Sequence, residues 1–364
     1  MLNASQFQLR GLHMPEISVI IVNWNGRHFL PDCLSALRQQ TFHDFETIFV
    51  DNGSTDGSLE FVRAHYPEVR IISLESNHGF SEGNIAGYRE ASGNTIVLLN
   101  NDTEAHPDWL DAIHRACHEF PSAGSFACKM MYFNDRTRIE NCGFQIDSAG
   151  IAAELGRDQF DGPEWAVSRE VFGACGGAVA YRRRMLEAVG FLDPDFFMIY
   201  EDVDLGLRAQ LSGFRCVYVP KAVVYHHYRS TIKKRPALQI YYSQRNIDFV
   251  YWKNLPLAFI LRSTPRRLLY ELGSALYFFR FGAGVPFLRA KLDVLRRLPS
   301  VLKKRRVIQK QRSLANSQLR TLMCGSVFNS KWKKFFSAGV AVPSSASDTA
   351  PGRKQVTAPL PGRS

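Results

Sequence analysis

Three short stretches hold the side chains best suited to chemistry. Asn100-Asn101-Asp102 follows the aliphatic run Thr95–Leu99. A carboxylate at a strand's end can hold a divalent cation against a diphosphate, because magnesium and manganese favour oxygen ligands and need only one or two carboxylates beside phosphate and water. The same residues also suit an Asx turn capping a helix near 107–118. Tyr200-Glu201-Asp202-Val203-Asp204 crowds acids onto neighbouring positions. Adjacent like charges raise one another's pKa, which suits a general base. The structural alternative is acids meeting the N-terminal dipole of a helix, with Asp204 spaced to pair with Arg208. His226-His227 follows the run Cys216–Val224. A histidine there is structural when alone and a metal ligand when it meets an acidic cluster.

The elements that must position these groups alternate. Ile17–Val22 is a short β-branched run, as expected of a buried strand, and it ends in Asn23-Trp24-Asn25-Gly26. Residues 28–40 read as a helix. Phe45–Val50 is a second strand, closed by turn formers from Asp51 to Gly57. A helix follows over 58–65, a strand over 69–74, a helix over 82–91 and a strand over 95–99. Strand–helix alternation of this kind predicts a parallel α/β sheet, whose ligands bind at the carboxyl ends of the strands. Those ends carry Asn23, Asp51-Asn52 and Asn100-Asn101-Asp102, which places the site before any family is considered. Further on, Gly173–Ala178 is a stretch of small residues beside a strand. Residues 201–212 read as a helix, and 214–226 as a pair of strands broken at Pro220. From about 238 the pattern is helical, aromatic and basic.

The chain of 364 residues is 45% hydrophobic, enough for a sizeable core and against a disordered or fibrous chain. Its 7 cysteines are odd in number and form no Cys-x-x-Cys pair, so neither a zinc cage nor a disulfide framework is indicated, and reduced thiols are expected. No secretory h-region and no uncharged apolar stretch of about 20 residues is present. The net charge of +11 is uneven: residues 262–334 are strongly basic, with Glu271 and Asp293 their only acids, whereas residues 1–261 are net acidic. An acidic front excludes a general polyanion binder, and no nucleic-acid module is present.

The motifs, in order, resemble those of inverting family 2 glycosyltransferases with a GT-A fold, especially the bacterial rhamnosyltransferase-like branch. The resemblance rests on ISVIIVNWNG (17–26), FETIFVDNGSTDGS (45–58), SNHGFSEGNIAG (76–87), LLNNDTEAHPDWL (98–110), FGACGGAVAYRRRMLEAVGFLDPDFFMIYEDVDLGLR (172–208) and GFRCVYVPKAVVYHH (213–227). It implies that Val22, Asn23, Asp51, Asn52, Asn84 and Asn101 bind the nucleotide-sugar donor. It implies that Asp102 and His226 hold Mg2+ or Mn2+, that Asp202 is the catalytic base, and that Glu201 orients it or touches the acceptor. The first acid of the family's Asp-x-Asp is asparagine here, which leaves one fixed carboxylate. Gln-x-x-Arg-Trp, typical of processive synthases, is absent at Ser243-Gln244-Arg245-Asn246, so transfer of a single sugar is expected.

The expected fold is α/β: a Rossmann-like, mostly parallel GT-A sheet flanked by helices, followed by a basic, aromatic helical region. The expected organisation is an N-terminal extension (1–14), a catalytic domain (15–237) with a donor half to about 120 and an acceptor half beyond it, a membrane-associating region (238–334) and a disordered tail (335–364). The basic, apolar composition of 255–306 suits helices lying on an anionic leaflet. The expected function is inverting transfer of one sugar, rhamnose by resemblance, to a glycan or lipid-linked acceptor for the bacterial cell surface, with the enzyme peripheral on the cytoplasmic face of the membrane. The rival is a catalytically dead homologue acting as a scaffold in a glycan-assembly complex.

Overall fold

A computed structural model describes residues 14–227 and 236–325. The expected N-terminal extension, apart from Met14, and the expected tail lie outside them. The front half alternates as anticipated: β1 (Ile17–Asn23), α1 (Leu30–Arg38), β2 (Phe45–Asn52), α2 (Ser58–His65), β3 (Arg70–Leu74), α3 (Gly79–Glu90) and β4 (Thr95–Leu99). The middle adds β5 (Thr103–Ala105), α4 (Trp109–Glu119), β6 (Ala123–Tyr132), β7 (Asp135–Asn141), β8 (Phe144–Ile146), β9 (Ala152–Glu154), β10 (Arg169–Val171), β11 (Ala178–Arg182), α5 (Arg183–Val189), α6 (Glu201–Leu211) and β12 (Arg215–His226). Helices α7 (Pro236–Asn254), α8 (Leu257–Arg280), α9 (Gly284–Gln311) and α10 (Asn316–Leu322) follow.

The main sheet runs β10-β12-β6-β11-β4-β1-β2-β3, with β5 beside β12 and β7 beside β6. β4, β1, β2 and β3 are parallel neighbours, as are β12 and β6, while β11 runs antiparallel between β4 and β6. Helices cover both faces. Ile17, Val19 and Ile21 of β1 face Leu30, Leu34 and Ile113 of α1 and α4. Ile20 faces the opposite layer, with Leu205 and Ala209 of α6 and the partly buried Ile85 of α3. Burial on both faces is why the strand reads as an unbroken apolar run.

Beyond shifts of one or two residues at element ends, the structure departs from the sequence reading at α3 and β12. α3 begins at Gly79, three residues before the anticipated start. Gly79 has φ +85°, and a Cβ there would lie 2.5 Å from the Phe197 carbonyl, so only glycine lets the helix start pack against that loop. β12 is one strand rather than a pair. Proline has no N–H for a ladder, and the pairing with β6 passes over Pro220 by a shift between Val219 and Val223 before it resumes.

The C-terminal helices pack directly on α6 and the loop before it. Phe249, Val250 and Tyr251 of α7 share a core with Phe196 and with Val203, Leu207 and Leu211 of α6. Much of the basic charge is spent internally. Lys253 bonds Asp193 (2.6 Å) and Asp204 (2.8 Å), Lys304 bonds Asp193 (2.6 Å) and Asp195 (2.5 Å), and Lys291 bonds Asp248 (2.7 Å). Among the described residues, Arg262, Arg280, Arg289, Arg296, Lys303 and Arg306 have no acidic partner. α8 also exposes Leu257, Leu261, Leu268, Leu272, Leu276 and Phe279, each more than half accessible, along one helical stripe. No helix among the described residues is long and apolar enough to cross a membrane.

Candidate active site at the carboxyl edge of the sheet

The parallel strands deliver their ends to one edge, and the register sets Asn23 beside Asp51. Asn23 is fully buried; its Nδ2 donates to Ser54 Oγ (3.1 Å), and its Oδ1 accepts from Asn101 Nδ2 (2.6 Å). That second bond ties the end of β1 to the turn after β4. Asp51 accepts the Ser54 N–H at Oδ2 (3.2 Å), whereas its buried Oδ1 has no hydrogen-bond partner. A buried acceptor left open is costly and marks a place for a ligand donor.

Asn52 is used differently. Its Nδ2 donates to Asn77 Oδ1 (3.2 Å) and to the Gly79 carbonyl (3.0 Å), and its Oδ1 accepts the His78 N–H (2.9 Å). The whole amide is engaged by the turn that starts α3, so it builds the pocket wall. Asn84, buried on α3, donates to the Phe80 carbonyl one turn back (2.8 Å). Val22 lies under Gly83, where a Cβ would come within 2.6 Å of its side chain.

Asp102 does not cap α4, whose N-cap position is Asp108. Its Oδ1 lies 3.1 Å from His226 Nε2 instead. β12 pairs with β5 so that His226 stands opposite Thr103, which brings together residues 124 apart in sequence. The other ring nitrogen, Nδ1, is 2.7 Å from Glu140 Oε2 on β7. Burial pulls the His226 pKa down, but the hydrogen bonds to the two carboxylates outweigh it and raise it to about 10. His227 turns away: its ring stacks on Phe133 (centroids 3.6 Å apart) and faces Asp32. One carboxylate oxygen and one imidazole nitrogen converge at Asp102 and His226, with Glu140 fixing the ring from behind. That donor set fits a divalent cation whose remaining ligands come from phosphate and water.

Asp202 sits in the first turn of α6. Its Oδ2 accepts the Gly176 N–H (2.9 Å), and its Oδ1 accepts the Val203 N–H (2.7 Å). Burial raises its pKa, and the charge on Glu154 of β9 adds to the rise. The adjacent carboxyl, Glu201, is raised well above the usual range, first by burial and then by Asp202. Its buried Oε2 has no hydrogen-bond partner, and no hydrogen bond joins it to Asp202 among the described residues. Asp204 is structural: it bonds Arg208 (2.9 Å), Lys253 and Asn254 (2.8 Å).

The small-residue stretch 173–178 joins the two centres. Gly176 donates to Asp202, and the next residue, Gly177, accepts the Asn100 N–H (2.9 Å). Consecutive residues thus hold the carboxylate of α6 and the turn that carries Asp102.

Two features were not visible in the sequence. Glu140 sits in the segment DRTRIEN, which reads as an ordinary polar strand. Asn246 and Arg245 grip the loop before α6. Asn246 Nδ2 reaches the carbonyls of Phe196 (2.9 Å), Met198 (2.8 Å) and Ile199 (2.7 Å), and Arg245 Nη2 donates to Phe196 O (3.1 Å). Phe197, Ile199 and Tyr200 in that loop all have positive φ (60°, 67° and 73°), a conformation that side-chain-bearing residues hold only under such restraint.

A family profile described as "Glycosyl transferase family 2" matches residues 18–190. The chain is 26% identical over 234 residues to the O-antigen biosynthesis protein RfbC of Myxococcus xanthus, covering 61% of this chain and 18% of that protein. It is 26% identical over 279 residues to the N-acetylglucosaminyl-diphospho-decaprenol L-rhamnosyltransferase of Mycobacterium tuberculosis, covering 68% of this chain and 90% of that one. It therefore spans less than a fifth of the first relative and nine-tenths of the second. Among solved structures, S. aureus TarS 1–349 in complex with UDP aligns at TM-score 0.49 and 18% identity, covering 88% of this chain and 91% of that chain.

Proposed function

Because this chain belongs to the family 2 glycosyltransferases, we propose that it moves one sugar from a nucleotide-sugar donor to a hydroxyl of a glycan or lipid-linked acceptor, with inversion at the anomeric carbon. The observation that carries this reading is the Gly176–Gly177 bridge, which couples Asp202 to the turn bearing Asp102.

Each group has a task. Asp51 offers its open Oδ1 to a base that presents an N–H, as uracil, thymine and guanine do. Asn23 and Asn101 hold each other and set the floor under ribose and phosphate, while Val22 and Asn84 close the pocket from β1 and α3. Asn52 keeps the α3 turn in place. Asp102 and His226 would hold Mg2+ or Mn2+, which when bound offsets charge on the departing diphosphate. Asp202 takes the proton from the attacking hydroxyl. Its raised pKa brings it closer to that of a base working near neutrality. Glu201, whose pKa burial raises well above the usual range, orients Asp202 or touches the acceptor. Donor turnover that survives Asp202→Asn at the parental rate would overturn the assignment.

The donor sugar is a deoxyhexose such as rhamnose, a reading that follows the name of the mycobacterial relative. The product serves the bacterial cell surface. The leucine stripe of α8 and the unpaired cations Arg262, Arg280 and Arg289 support attachment to the cytoplasmic leaflet of an anionic membrane, close to a lipid-linked acceptor.

A further inference from the structure

His114 and His118 lie one turn apart on α4, on the half-exposed side of a helix whose other side carries Trp109, Ile113 and Ala116 into the core. Their rings are 4.6 Å apart, edge to face. Glu16, which immediately precedes β1, aims one carboxylate oxygen at both. Its Oε1 is 2.9 Å from His114 Nδ1 and 3.9 Å from His118 Nε2. The three potential ligand atoms all fall within 4.8 Å of one another. Phe42 packs against the His114 ring (centroids 4.8 Å apart) and limits its rotation.

We propose that Glu16, His114 and His118 form a second metal site, separate from the donor pocket, for a transition-metal dication of the Zn2+ class. The chemistry selects the ion. Two imidazoles one helical turn apart with one carboxylate make an N2O set, which zinc, nickel and copper prefer and magnesium and calcium do not. Three protein ligands leave a fourth position open to solvent, since His118 is largely exposed. The site lies at the amino end of β1, whereas Asn23 and the donor pocket lie at its carboxyl end. Seven residues of strand separate the two by roughly 20 Å, so binding here needs no nucleotide. The bound ion would clip the start of the central strand to α4 and so stabilise the sheet.

The test is calorimetric titration of the full chain with ZnCl2, in the absence of nucleotide, using the parent, His118→Ala, Glu16→Gln and Asp102→Asn. His118 is exposed, so its replacement leaves the fold intact, which the melting curve without zinc checks. The expected result is one zinc site that Asp102→Asn retains and that His118→Ala and Glu16→Gln weaken by about tenfold or more. Zinc should also raise the melting temperature of the parent and not that of His118→Ala. Equal zinc affinity in the parent and His118→Ala would overturn the proposal, as would loss of the site in Asp102→Asn, or no binding at millimolar zinc.

Discussion

Glu140 Oε2 lies 2.7 Å from His226 Nδ1, and both side chains are buried. A buried carboxylate is retained only where it is paired, and its partner here is the ring whose other nitrogen faces Asp102. Glu140 therefore sets the orientation of the His226 ring and would hold the proton on Nδ1 when a cation displaces the one on Nε2. Glu140→Ala should weaken Mn2+ binding in the presence of a nucleoside diphosphate by about 10–100-fold. Glu140→Gln keeps a hydrogen-bond acceptor and should lose less. Calorimetry with Mn2+ reads both, and unchanged affinity in Glu140→Ala would remove this role.

Asn246 anchors three carbonyls of the loop that delivers Asp202. Its removal should let that loop relax from its positive-φ conformation. A small misplacement of a catalytic group costs about a hundredfold in rate. Asn246→Ala should therefore lower kcat by about that factor and leave donor affinity intact. A fall in donor affinity with kcat preserved would place the defect elsewhere.

Lys253 is the shared partner of Asp193 and Asp204, and all three are buried. Burial raises both carboxyls, but Lys253 and the neighbouring cations outweigh it and hold them below the usual range. A lowered carboxyl stabilises the fold fully above its unfolded pKa, here about 4, and that contribution is lost as the pH falls below it. Urea unfolding should thus show stability nearly level from neutral pH to about pH 5 and falling progressively below that as the pH drops through the acid range. At neutral pH, Lys253→Met removes the shared partner of two buried carboxylates, leaving Asp193 to Lys304 and Asp204 to Arg208, and should cost about 3 kcal/mol. A pH-independent urea midpoint, or a neutral Lys253→Met, would contradict this account of how α7 docks.

The α8 stripe should behave as a membrane-facing surface. Leu268, Leu272 and Leu276 are exposed, so replacing all three by Gln leaves the core untouched. The parent should float with vesicles containing phosphatidylglycerol, and the triple variant should partition about tenfold less or worse. Equal flotation of the two chains would disconnect the stripe from lipid.

The strands and their polar ends were legible because a strand buried on both faces reads as an unbroken aliphatic run and a turn former must follow it. That logic located Asn23, Asp51 and Asp102 at one edge. It failed where position depends on distant pairing. Nothing local to DRTRIEN says that Glu140 will meet His226, because that contact is made by β12 crossing to β5 and β6. Pro220 suggested two strands, yet a register shift absorbs it within one. The basic, apolar composition of 255–306 suggested helices on an anionic leaflet, whereas Lys291 and Lys304 within it bind acids of α7 and of the loop before α6. Only part of the charge, together with the leucine stripe, remains available to a membrane.

The central claim is that Asp202 acts as base beside a donor held at Asp51 and Asp102. The direct measurement compares the parent with Asp202→Asn in two readouts: affinity for UDP-, dTDP- and GDP-sugars with Mn2+, and turnover of the one that binds. The account predicts equal donor affinity and a loss of turnover of at least about a hundredfold. Turnover by Asp202→Asn at the parental rate, with donor affinity unchanged, would contradict it.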